Sequence, residues 1–144
     1  MGTSLEFLGI ARKAGMLEIG EESCSTAVSG KKARLLISAS DASDNSKRNA
    51  GRLAETVGIP HIIYGHTKEE LGCLVGRGFP GELALTDSGM AAGFLSRLEG
   101  EEPGAHTEEL ALLRKRAARA EERRKEARAH EKNVRAGKSR RKKV

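Results

Sequence analysis

The stretch KKARLLISASDASDNSKR, residues Lys31–Arg48, decides the fold. Its middle, Ala33 to Ser40, is a short apolar run, the pattern of a strand buried on both faces. Capping side chains follow directly from Asp41, and then Ala50, Leu53, Ala54 and Val57 recur at helical spacing until Gly58. A buried strand that feeds an amphipathic helix is half of a β-α-β unit, and its sheet needs helices on both faces.

Outward from this unit the pattern repeats. IPHIIYG reads as a second strand, and TKEELGCLVG starts a helix with Thr67 and Glu70 as a capping box, running to about Val75. GELALT gives a third strand, and DSGMAAGFLSRL a closing helix capped by Asp87. Upstream, Leu5, Leu8 and Ile10 to Ala14 form an amphipathic helix ended by Gly15, and Gly20 to Ser29 a second one stopped by Gly30. The order α-α-β-α-β-α-β-α predicts a three-layer α/β/α sandwich with a mixed sheet over residues 1–98.

Residues 99–106, EGEEPGAH, read as a linker, and residues 107–144 as a basic helix followed by a disordered tail. The chain has 144 residues and a formal net charge of +6, but the charge is unevenly placed. From His106 onward fifteen Lys and Arg face six Glu, whereas eleven face fourteen acids before it. The tail is the side that attracts a polyanion, and nucleic acid comes before an anionic membrane as its partner. Its candidate contacts are Arg114, Arg123, Arg124, Arg140, Arg141, Lys142 and Lys143. Thr107 is the expected N-cap and the helix is expected to end near Glu131. The apolar stripe Leu110, Leu113, Ala117, Ala120 gives way to Arg124, too short for a coiled coil, so a monomer is expected.

Nothing in the sequence seeds catalysis. His61, His66, His106 and His130 have no ligand spacing, and Cys24 and Cys73 lie far apart and read as buried reduced thiols. Asp41, Asp44 and Asp87 stand where helices begin, which capping explains without a metal. GxSxG, GxGxxG and P-loop patterns are all missing, so no enzyme, cofactor or metal is expected. No run of about 18 apolar residues occurs and the first apolar segment is broken by charge, which predicts a cytoplasmic protein without a membrane partner. Among the few aromatics, Phe7 and Phe94 fall in helical apolar stripes. Phe79 sits in the loop RGFPG, placed for contact with a base or a partner.

LGIARKAGMLEIGEE, KKARLLISASDASDNSKR, GIPHIIYGHTKEELGCLVGR and ELALTDSGMA together resemble, almost without gaps over residues 5–98, the kink-turn-binding ribosomal protein family of the L-seven-Ae and L-thirty-e type. The short bacterial branch of that family is the most similar. The resemblance implies a three-layer sandwich that reads kinked RNA at the N-terminus of its second helix, through a G-x-N-E-x-x-K motif and an apolar late loop. In this chain the motif's glycine falls on Gly20, its Asn on Glu22, its Glu on Ser23 and its Lys on Thr26, while the late loop falls on residues 77–81. The implied RNA contacts are Gly20, Glu21 and Glu22 at the helix mouth, Phe79 in the loop, and Lys13, Lys31, Lys32, Lys47 and Arg48 around the expected face. The function expected is non-catalytic binding of ribosomal or other structured RNA, with a protein-interaction adaptor on the same fold as the alternative.

Overall fold

In the computed structural model, residues 3–76 and 78–142 are described, the side chains through residue 136. The chain runs α1 (Ser4–Lys13), β1 (Leu17–Ile19), α2 (Glu21–Ser29), β2 (Leu35–Ser38), α3 (Asp44–Val57), β3 (His61–Ile63), α4 (Lys68–Val75), β4 (Glu82–Leu85), α5 (Ser88–Glu101) and α6 (Thr107–Lys142). The strands lie in the order β1-β4-β2-β3, with β2 and β3 parallel and β4 antiparallel to both β1 and β2. The mixed sheet is therefore as expected, but it has one strand more. β1 was not among the expected elements: three residues between Gly15 and Gly20 are too short for a periodic signal, and their pairing with β4 supplies the order.

Side chains alternate along the strands and so build two cores. Leu35, Ile37, Leu83 and Leu85 pack with Leu8, Leu71 and Phe94 under α1, α4 and α5. Leu36 and Ala84 face the other way, onto Cys24, Val28 and Ala50 of α2 and α3. This alternation is the three-layer sandwich. Helix starts follow the capping chemistry: Thr3 and Thr67 form capping boxes with Glu6 and Glu70, Ser43 caps α3, and Asp87 caps α5. Asp41 accepts the Lys68 amide at 2.8 Å and so serves the start of α4 from a distance.

Several boundaries differ from the sequence reading. α2 itself ends as expected, at Ser29 with Gly30 as its C-cap at φ −80°, and the left-handed step follows on Lys31 at φ 57°, where Lys32 donates its amide to the Ala27 carbonyl. The turn after α2 is thus wound by a lysine. Residues 99–106 are only partly a connector, since α5 continues to Glu101. The Glu99 carboxylate gathers the turn, accepting from the Gly104 amide at 2.8 Å and from the Thr107 hydroxyl at 3.1 Å, and the Gly104 bond above all holds its pKa below the usual range. Thr107 is therefore the first helical residue and not the cap. α6 passes the expected end near Glu131 and is helical through Lys142. Its Leu110 and Leu113 are buried in the first core, so the tail helix begins as part of the sandwich. Cys24 is buried, whereas Cys73 is exposed on α4, contrary to the expectation of two buried thiols. Among the described residues, no helix is long and apolar enough to cross a membrane.

Strand register defines two ends of the sheet. Ser38 pairs with Glu82 and Ile19 with Leu83 at one end, while Leu35 and Leu17 both pair with Leu85 at the other. The chain enters α2, α3 and α4 at the Glu82 end and enters α5 at the Leu85 end. α6 returns antiparallel along α5 and leaves the body at the Leu85 end, where Arg124 lies 3.5 Å from Asp87.

Candidate nucleic-acid interface

The mouth of α2 stands at the Glu82 end. Gly20 is its N-cap with φ 93° and ψ 157°, a conformation that side-chain-bearing residues avoid, and among the described residues no side chain caps the helix. The Gly20 amide donates to the Glu82 carbonyl at 2.9 Å. The first α2 amides thus face outward at the positive pole of the helix, with Glu21 and Glu22 exposed beside them. Under this mouth lies Glu82, 4% exposed, whose Oε1 has no hydrogen-bond partner among the described residues. Burial first, and then the neighbouring Glu21, pushes its pKa up to about 7. The buried Cys24 thiol is pushed up by its own burial and by Glu82, Glu18 and Glu21. A cleft of about 370 Å³ runs along α2 from Glu18 and Glu22 past Thr26 to Lys32.

Two of the expected basic contacts share this end. Lys47 and Arg48 lie near the start of α3, which follows β2 where Ser38 pairs with Glu82. The Lys47 ammonium is already committed, donating to the Ser40 carbonyl at 2.8 Å, so Arg48 is the freer charge. Phe79 is 71% exposed in the loop that leads into β4, and that loop folds back over Gly72 of α4. Residue 77, the first position of the expected late loop, lies outside the described residues.

The remaining basic residues are elsewhere. Lys13 closes α1 and Lys31 and Lys32 follow α2, all at the Leu85 end. Nine residues of α2 separate Lys31 and Lys32 from Gly20, about 13 Å of helix. The single basic face expected from the sequence is therefore two separate groups, because a helix and a register intervene that spacing along the chain does not reveal. On α6, Arg114 is exposed and donates to Ser96 Oγ at 3.4 Å, and Arg124 is shared between Asp87 and Glu121. Arg123 lies beside Arg34, Arg116 and Arg119 in a cleft at the Leu85 end. The side chains of Arg140, Arg141 and Lys142, and all of Lys143, lie outside the described residues. Sequence reasoning missed Arg34, Arg116, Arg119 and Glu82. The i, i+3, i+7 spacing of Arg116, Arg119 and Arg123 was the one signal available for the cleft.

A mixed four-stranded α/β/α sandwich with a glycine-capped helix mouth at one sheet end is the architecture of a small ribosomal-protein-type domain. The sequence matches the ribosomal protein L7Ae/L30e/S12e/Gadd45 family over residues 3–91, and the chain belongs to that family. The match ends within α5, so α6 lies beyond it. No curated protein sequence matches the chain. Among solved structures it is similar to a protein of unknown function from Bacillus halodurans, with a TM-score of 0.63 and 25% identity over 69% of this chain and 99% of that one. It is also similar in fold to the Giardia lamblia 15.5kD RNA binding protein, with a TM-score of 0.54 and 18% identity over 67% of this chain and 84% of that one.

Proposed function

We propose that this chain is a non-catalytic, cytoplasmic RNA-binding protein of the ribosome or of another structured RNA. The observation that carries the reading is the α2 mouth, uncapped by any side chain and opened by Gly20, inside the segment that matches the family. The name of the Giardia lamblia relative, an RNA binding protein, agrees with it. Outward-facing amides at a helix start suit phosphate or a base-edge acceptor, Arg48 offers a charge nearby, and exposed Phe79 offers an apolar surface. Side-chain readout of a kinked RNA is altered, because Glu22 accepts hydrogen bonds but cannot donate them as an Asn amide does. The exposed basic length of α6 supplies affinity that depends on salt.

The carboxylates of Glu18, Glu21 and Glu22 around the same mouth favour one second reading, a protein adaptor that docks a basic segment. Crosslinking in cells followed by sequencing of the bound RNA decides between the two. Recovery of defined structured RNAs supports RNA binding, and an empty library together with a captured basic partner overturns it.

A further inference from the structure

At the Leu85 end, the start of α5, the turn before β2 and the third to fifth turns of α6 enclose a cleft of about 240 Å³. Four guanidinium groups line it, Arg34 from the sandwich and Arg116, Arg119 and Arg123 from one face of α6, with Ser88 at its edge. Among the described residues, none of these four arginines makes an ion pair. The acid that precedes Ser88 is engaged otherwise: Asp87 Oδ2 accepts the Met90 amide at 3.0 Å and Oδ1 faces Arg124 at 3.5 Å. Four like charges held around one cleft repel each other, and a bound anion relieves that repulsion.

The donor chemistry selects the anion. Guanidinium forks match the oxygens of a phosphate, and Ser88 opens α5, so its amide is one of the donors that the helix itself leaves unpaired. No aromatic side chain lines the cleft, so it suits a backbone and not a stacked base. Arg34 also lines an adjoining cleft of about 420 Å³ that leads to Lys31, and the basic surface therefore continues past a single anion's reach. We propose that this cleft and the adjoining one hold two or three successive phosphodiesters of an RNA backbone, giving the protein a second RNA contact at the opposite end of the sheet from the α2 mouth. The proposal rests on the RNA-binding reading above and adds to it a place and a set of residues.

The test uses the full chain and a kink-turn hairpin RNA. Arg34→Gln, Arg119→Gln and Arg123→Gln are combined in one variant, and Lys125→Gln, Lys132→Gln and Arg135→Gln, which lie farther along α6, in a second with the same net charge. All six side chains are exposed, and equal melting temperatures verify folding. The cleft variant is expected to lose about 2–3 from the slope of log K against log salt, close to 0.9 per phosphate contact removed, and clearly more than the second variant. Arg34→Gln alone, a residue outside α6, is expected to lose about 1. Equal losses in both triple variants, or an unchanged slope in the cleft variant, overturn the proposal. If the wild-type chain binds no RNA, it is the RNA reading that fails. Titration with inorganic pyrophosphate, followed on the arginine Nε–H NMR signals, then decides the cleft: saturable shifts on the four arginines keep it as a phosphate site, and their absence overturns it.

Discussion

Gly20 gives its amide to the carbonyl of Glu82 at 2.9 Å, and the residue that accepts this bond carries the buried carboxyl beneath the helix mouth. Main chain and side chain of Glu82 thus act on the same place in opposite ways. The backbone bond fixes the mouth, while an ionised carboxyl there is poorly solvated. Because its native pKa is about 7, against an ordinary value of 4.5, the folded protein holds that proton more tightly than the unfolded chain. The stabilisation is complete below about pH 4.5, declines as pH rises, and is gone above about pH 7. Glu82→Gln is expected to match the wild type in urea unfolding near pH 4.5 and to exceed it at about pH 8, by on the order of 2–3 kcal/mol. A variant that keeps the wild-type pH slope assigns that slope to another group.

At the mouth itself, Glu22→Asn with Ser23→Glu supplies the two polar side chains that the family motif places beside its glycine. A well-placed hydrogen-bonding pair contributes roughly 1–3 kcal/mol to base discrimination. Binding to a kink-turn RNA is expected to tighten about tenfold while binding to an unkinked duplex changes little. Gel-shift titration of both RNAs measures this, and a parallel change in the two marks an effect of charge alone.

The burial of Leu110 and Leu113 decides where the tail can be cut. A chain ending at Leu98 exposes the core that these leucines cover and is expected to lose about 3–6 kcal/mol in denaturant unfolding. A chain ending at Glu122 keeps both leucines and is expected to melt near the wild type. It loses Arg123 and every basic residue after it, so its RNA affinity is expected to fall steeply and its salt slope to flatten. An unchanged slope removes the outer tail from binding.

Gly72 and Gly78 touch where the late loop folds back on α4. An added methyl at Gly72 would collide with the Gly78 carbonyl, so Gly72→Ala must lift the loop that carries Phe79. The expected cost is about 1–3 kcal/mol by thermal unfolding, together with altered NMR shifts of the Phe79 ring. Gly100→Ala, which has open space around it, is the matched control.

Ser4 Oγ and Tyr64 OH lie 2.5 Å apart, both buried, and Ser4 also donates to Glu101 at 2.7 Å. The three join the start of α1 and the end of β3 to the end of α5. Tyr64→Phe keeps the ring against Phe94, whose centroid is 5.3 Å away, and removes only the hydroxyl. A loss of about 1 kcal/mol is expected. With the phenol pushed up to about 12, mainly by burial, that loss stays flat between about pH 6 and 9, as chemical denaturation at several pH values measures.

What the sequence made legible follows from how local each signal is. Thr67 with Glu70, Ser43 and Asp87 cap the helices that their spacing announces, since capping chemistry acts within one turn. β1 escaped because Leu17–Ile19 becomes a strand only through its pairing with β4. Glu82 escaped for the same reason: a glutamate opening a strand reads as surface, and its burial comes from the start of α2 packing over β4. The basic residues were all visible, yet their division between two sheet ends depends on register, as Lys32 and Arg48 illustrate by lying at opposite ends of the layer that their helices share.

The Glu99 clamp, finally, fixes more than a turn. By starting α6 beside the end of α5, it aims the basic helix out of the Leu85 end, where residues 122–136 are exposed. From Arg124 to Lys142 that helix extends by about 27 Å, roughly three Debye lengths at physiological ionic strength. The acidic body and the cationic arm therefore cannot cancel each other, and the molecule is a permanent electric dipole with its positive pole at the arm's tip. In the field of a polyanion such an object turns before it touches, so encounters begin arm first and the arginine cleft follows ahead of the α2 mouth.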